Sequence, residues 1–183
     1  MSVNRRFVPP LLAALALAVL SLGIAACGYS SNSKDVAEGE AVHLGDLQYN
    51  VVFSRYLNPN DNEDAAYLVG QPAPPNGSTY FGVFLRVNNE SNESQPLPST
   101  MTISDANEKH YDVIPSESLY AFPFGGEVES QEQIPVDDST AQQGAIEGSL
   151  TLFLLSEEAS SNRPLTLHIP GTAGEVANVT LDL

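Results

Sequence analysis

Tyr80-Phe81-Gly82-Val83-Phe84-Leu85-Arg86-Val87-Asn88-Asn89 is the stretch on which the fold turns. Phe81, Val83, Leu85 and Val87 recur at every second position, the period of a strand, and share one face. Tyr80, Gly82, Phe84 and Arg86 take the other face, where only Arg86 carries a charge. A strand apolar on both sides belongs in the middle of a sheet that is covered on both sides. Asn88-Asn89-Glu90-Ser91-Asn92-Glu93-Ser94 then ends it with turn-forming residues.

The same period spreads outward. In residues 41–57, Leu47, Tyr49, Val51 and Phe53 alternate with Gln48, Asn50 and Ser54, which predicts a strand with one core face and one wet face. Downstream, Leu97, Met101 and Ile103 point inward. Asp105-Ala106-Asn107-Glu108 is a hairpin turn, and Tyr111 and Val113 return from it. Residues 127–135 are weakly strand-like and acidic, and 136–144 form a loop. Residues 145–155 are the most apolar strand, with Ile146, Leu150, Leu152 and Leu154 on one face and Phe153 and Leu155 on the other. After one helical turn within 156–162, Leu165, Leu167 and Ile169 alternate, Pro170-Gly171 turns the chain, and Val179, Leu181 and Leu183 complete the pattern. Seven to nine short strands separated by turn signals, without a helix of consequence, predict an all-β, antiparallel β-sandwich over residues 41–183.

The opening of the chain has a different logic. Arg5 and Arg6 precede an uncharged apolar run at 11–22, and Ala25-Ala26 supplies small residues for a peptidase to close around. Ile24-Ala25-Ala26-Cys27 resembles the bacterial lipobox, and Cys27 is the one cysteine of the chain. The resemblance implies a signal peptide over 1–26, removed on maturation, and a diacylglyceryl thioether with fatty acid such as palmitate at Cys27. Two or more chains anchor a protein stably, whereas one does so only marginally. A membrane-spanning helix is the competing reading, since no charge falls between Phe7 and Cys27, but Pro9 and Pro10 oppose it. Arg5-Arg6-Phe7 also resembles a twin-arginine export signal; ordinary secretion is the default. Residues 27–40 are small, polar and charged, which predicts a flexible tether.

Composition narrows the partners. The formal charge of the whole chain is −16, all 23 acidic residues follow Cys27, and loss of Arg5 and Arg6 makes the mature chain more negative still. Nucleic acid is a poor partner for such a surface, and none is expected. Anionic headgroups repel it too, so the membrane is held through the lipid on Cys27 and not through the globule. With Cys27 acylated, no thiol remains for a disulfide.

Tyr80 to Asn89 is followed by Ile103-Ser104-Asp105-Ala106-Asn107-Glu108-Lys109-His110-Tyr111 and later by Gly148-Ser149-Leu150-Thr151-Leu152-Phe153. This order is similar to the immunoglobulin-like domain of unknown function carried by many bacterial lipoproteins. There an aliphatic strand ends in asparagine, a strand-turn-strand with aspartate, glycine and tyrosine comes next, and a glycine leads the later aliphatic strand. The resemblance spans residues 44–183. It implies a sandwich outside the cytoplasm with a non-catalytic role, and no catalytic residues to carry over. The chain departs from the pattern where Asn107 or Glu108 stands in place of glycine, and in the long loop before Tyr80.

That loop, residues 58–79, holds four prolines, the acidic patch Asp61, Glu63 and Asp64, and an apolar knot at Tyr67-Leu68-Val69 that predicts docking back onto the domain. Tyr67 and Leu68 are candidate partner contacts, as are Tyr120, Phe122 and Phe124 in the loop 116–126. Asp61, Glu63 and Asp64 are candidate calcium ligands through oxygen, although the glycine and distal glutamate of a helical calcium loop are missing. His43, His110 and His168 lie far apart in sequence, and no spacing joins them. Ser149 has no nucleophile elbow around it, and no glycine-rich phosphate loop is present. The expectation is a lipid-anchored, extracytoplasmic module at the cell membrane, not an enzyme and without a cofactor, that binds or scaffolds an envelope protein. The alternative is a calcium or small-ligand sensor or carrier.

Overall fold

The computed structural model describes residues 32–182. The leader, the lipobox, Cys27 and Leu183 lie outside the described residues. Twelve strands and one short 3-10 turn appear within them. β1 (Ser33–Ala37), β2 (Ala41–Leu44) and β3 (Leu47–Leu57) lead to the long β4 (Ser78–Asn89). β5 (Gln95–Pro96) precedes the hairpin of β6 (Thr102–Ser104) and β7 (His110–Ile114). β8 (Glu127–Val128) and β9 (Gln133–Ile134) are short, β10 (Ser149–Ser156) is long, and β11 (Leu165–Pro170) and β12 (Val176–Leu181) come last. The count exceeds the seven to nine expected because short pairings such as β5 with β8 carry no hydrophobic period of their own.

The strands run in the order β1-β12-β11-β6-β7-β10-β4-β3-β2, with β9 paired to β4 at one end. β7 pairs with β6 on one side and β10 on the other, so the sheet turns a corner there and closes on itself as a sandwich. The core lies between the two layers. Phe81, Val83, Leu85 and Val87 of β4 meet Ile103, Leu165, Leu167, Ile169 and Val179 from the opposite layer. The other face of β4 is buried as well: Tyr80 and Phe84 pack with Leu57, Tyr67, Leu68, Leu150 and Leu152. Both faces of the central strand are therefore covered, as its sequence predicts.

The motifs behind the family resemblance have structural roles. Asn89 is buried. Its Nδ2 donates to the carbonyls of Glu93, Val128 and Glu129, and its Oδ1 accepts from Ser91. Asp105 Oδ1 accepts from the amides of Asn107 and Lys109, at 2.9 and 3.1 Å, and Oδ2 accepts from Tyr111 Oη. Burial alone would raise the pKa of Asp105, but the bonds from Lys109, Asn107, Asn162 and Tyr111 outweigh it and hold the carboxyl below its ordinary value. Glu108, at the place of the usual glycine, adopts φ 61°. A left-handed residue with a Cβ costs roughly 1–2 kcal/mol. At Gly148, an added Cβ would lie 3.0 Å from Phe84 Cβ, so the glycine lets β10 start hard against β4.

The expected tether needs correction over its second half. Residues 33–37 form β1, which lies parallel to β12 from Ser33 beside Val176 to Ala37 beside Thr180. The compact unit accordingly begins at Asn32 and not at residue 41. A single apolar residue, Val36, packs against the core, and that is all an edge strand needs when its backbone pairs. Glu38 then locks the turn, accepting from the amide and hydroxyl of Ser54 and from the amide of Asp182.

Candidate binding groove

The groove begins with a fault in β3. Its register against β4 slips between Val51 and Phe53, a bulge that adds one residue and reverses the phase of the rest of the strand. Before the slip, Leu47, Tyr49 and Val51 face the core. After it, Ser54 and Tyr56 turn inward, and Phe53 and Arg55 turn out. Phe53, expected in the core with Leu47, Tyr49 and Val51, is instead 43% exposed. Strict alternation placed it, and a bulge leaves no mark in a hydrophobic period.

Two straps cross the outer face of β3, β4 and β10. Residues 58–79 fold back as predicted, and Tyr67 and Leu68 are buried. The Tyr67 ring meets Phe84 edge-on with centroids 5.0 Å apart, and Tyr120, in the loop 116–126 that forms the second strap, at 4.8 Å. Tyr80 Oη donates to the Pro72 carbonyl at 2.7 Å. Asp64, buried, pairs with Arg55 and accepts from the Asn58 amide at 2.7 Å. Ser118 Oγ and Gln71 Nε2 tie the two straps together through the carbonyls of Ala66 and Pro115.

Between the straps lies a groove of about 480 Å³, lined by Phe53, Arg55, Glu63, Ala66, Tyr67, Tyr120, Ala145 and Ile146. It continues past Phe53 and Ile146 to Arg86 and Glu147. Arg86 pairs with the Glu147 carboxylate, and its Nε donates to the Glu147 carbonyl at 2.8 Å. Burial, then the neighbouring Tyr120, raises the pKa of Tyr67, so that phenol stays neutral at the groove. The wall thus mixes aromatic and aliphatic side chains with Arg55 and Glu63, and the paired guanidinium of Arg86 stands at the far end.

Of the residues predicted to meet a partner, Tyr67, Leu68 and Phe122 are buried and serve packing. Tyr120 is half-buried and borders the groove. Phe124 packs against the core and against Phe122, with ring centroids 4.9 Å apart. The acidic patch does not gather into a cage. Asp64 spends both oxygens on Arg55 and Asn58, and Asp61 Oδ1 accepts from the Glu63 amide. Among the described residues no cluster of three metal-ligating side chains occurs.

The fold does bring two histidines together. β7 and β11 both flank β6, and the rings of His110 and His168 lie 5.9 Å apart. Asn178 Nδ2 donates to Asp35 Oδ1 at 2.7 Å, which leaves its Oδ1 facing His168 Nδ1 at 2.8 Å. An amide oxygen only accepts, so Nδ1 bears a hydrogen, and in the neutral ring Nε2 accepts from Ser104 Oγ at 2.7 Å. The chain Ser104–His168–Asn178–Asp35 is therefore oriented in one direction. It ties four strands together across the surface.

Comparison with known proteins places the architecture. The yjhA protein from Bacillus subtilis matches with a TM-score of 0.53 at 13% identity, over 80% of this chain and 99% of that one. An uncharacterized β-sandwich protein from Clostridium difficile matches with a TM-score of 0.49 at 13% identity, over 82% and 95%. The ycdA protein from Bacillus subtilis, a candidate lipoprotein, matches with a TM-score of 0.49 at 10% identity, over 80% of this chain and 39% of that one. No family model matches the chain, and no curated protein does. The likeness to yjhA is one of fold, and the fold is an all-β sandwich.

Proposed function

We propose that this protein is a lipid-anchored, extracytoplasmic module of immunoglobulin-like type that binds a protein partner at the cell envelope, without catalysis, through the groove beside Phe53. One observation carries the reading: a large aromatic side chain, 43% exposed, stands at a groove walled by two pinned straps. An exposed aromatic beside a pre-formed hollow that also presents an arginine and a glutamate resembles the anatomy of a binding hot spot. The pins matter because a groove that is already ordered loses little entropy on binding. The lipobox resemblance at Cys27 supports the anchor, and the polar, uncovered opposite layer offers no comparable groove among the described residues.

A photo-cross-linking amino acid at Phe53, in native membranes, tests the site. The expected result is an adduct with one discrete envelope protein, absent when the same group replaces exposed Thr180 on the other layer. Equal recovery at both positions, or none at Phe53 across several growth states, would refute the groove. Cys27→Ser tests the anchor separately: the variant is expected to leave the membrane fraction, and retention there with an intact leader counts against lipidation.

A further inference from the structure

The chain has a second exposed apolar feature, of opposite electrostatic character. Leu119 is 79% exposed and Val136 is 53% exposed, and both border one cleft of about 150 Å³ walled by Pro123 and Pro135. Past Ile134 and Val136 the cleft opens into a hollow of about 320 Å³ edged by Glu127, Glu129 and Glu132. No Lys or Arg borders either hollow, and none of the three glutamates is in an ion pair among the described residues.

The rim is held in place. The buried amide of Asn89 donates to the carbonyls of Val128 and Glu129, each at 3.0 Å, and the Asn89 backbone N–H donates to the Glu132 carbonyl at 2.9 Å. β9 is paired to β4 at Val87 and Asn88. The backbone that carries the three exposed glutamates is thus fixed beside apolar side chains, and Glu127 Oε2 also accepts from Ser94 Oγ at 3.0 Å. A purely apolar partner would desolvate those carboxylates without compensation, and an acidic one would be repelled. Only a partner that brings positive charge beside an apolar side chain satisfies both parts.

We propose that this acid-rimmed cleft docks a cationic, apolar segment of a protein partner, with Lys or Arg against Glu127, Glu129 and Glu132 and a large aliphatic side chain against Leu119 and Val136. The site is separate from the groove at Phe53 and does not depend on it.

The test uses the full chain in nanodiscs of zwitterionic lipid and a fluorescein-labelled peptide of alternating Lys and Leu, read by anisotropy. The Leu119→Ser, Val136→Ser double variant is expected to weaken binding about tenfold or more. The Glu127→Gln, Glu129→Gln, Glu132→Gln variant is expected to do the same and to flatten the salt dependence. Glu157→Gln, Glu158→Gln, Asp182→Asn removes as many exposed carboxylates elsewhere and is expected to stay within about twofold of the parent. Phe53→Ala is expected to leave the peptide bound. Unchanged melting temperatures show that each variant folds. The proposal is overturned if the control triple weakens binding as much as the rim triple, if a Lys/Ser peptide binds as tightly as the Lys/Leu one, or if Phe53→Ala abolishes binding.

Discussion

The two outer faces of the sandwich share a core and differ in almost everything else. Over β1, β12, β11 and β6 the exposed face is polar, and a directed chain from Ser104 through His168 and Asn178 to Asp35 crosses it. Over β10, β4 and β3 the outer face is apolar, and two straps cover it around Phe84 and Tyr67. Water can serve the first face, so it needs no cover. The second must be covered, and imperfect cover leaves a groove. The lesson is that the grooves follow the strands whose two faces are both apolar. Long surface segments without a period of their own go to such strands as lids.

The contrast can be broken where it is strongest. Phe84→Ala removes a fully buried ring under the strap and should cost about 3–5 kcal/mol in denaturant unfolding. Asp64→Ala releases the strap from Arg55 and Asn58; because Arg55 keeps partial access to water, the expected loss is about 1–3 kcal/mol, with faster amide exchange confined to residues 58–79. Asp105 sharpens the comparison through pH. Its folded pKa is depressed, so its contribution is complete above the ordinary carboxylate value, about pH 4, and is lost as pH falls through the folded value. Asp105→Asn should therefore be less stable than the parent by about 1–3 kcal/mol at neutral pH, with the gap closing in acid. On the wet face, His168→Ala should cost only about 1 kcal/mol, seen as faster exchange in β1 and β12; a loss as large as that of Phe84→Ala would erase the distinction between the faces. The smallest effect has the opposite sign. Glu108→Gly relieves a left-handed turn and should stabilise the protein by up to about 1 kcal/mol, measured as a rise in melting temperature.

Much of this is legible in residue order. Phe81, Val83, Leu85 and Val87 on one face and Tyr80 and Phe84 on the other place β4 at the centre, and Tyr67-Leu68-Val69 announces that its loop docks. The reading fails at two places, each for a local reason. β1 looks like tether because an edge strand held by backbone pairing needs one apolar residue, Val36. Phe53 looks like core because the bulge that turns it outward depends on pairing with β4. The pairing of Asp64 with Arg55 was not legible either, because the two lie on different elements and nothing in the spacing joins them.

By itself the order of residues determined the all-β class, the central strand and its two buried faces, because side-chain period and burial are set strand by strand. Which residues meet across strands was settled only in three dimensions. The turn-out of Phe53, the approach of His110 to His168 and the rim of Glu127, Glu129 and Glu132 all depend on register between distant strands. Register is a property of pairs of strands, and no single stretch of sequence contains it.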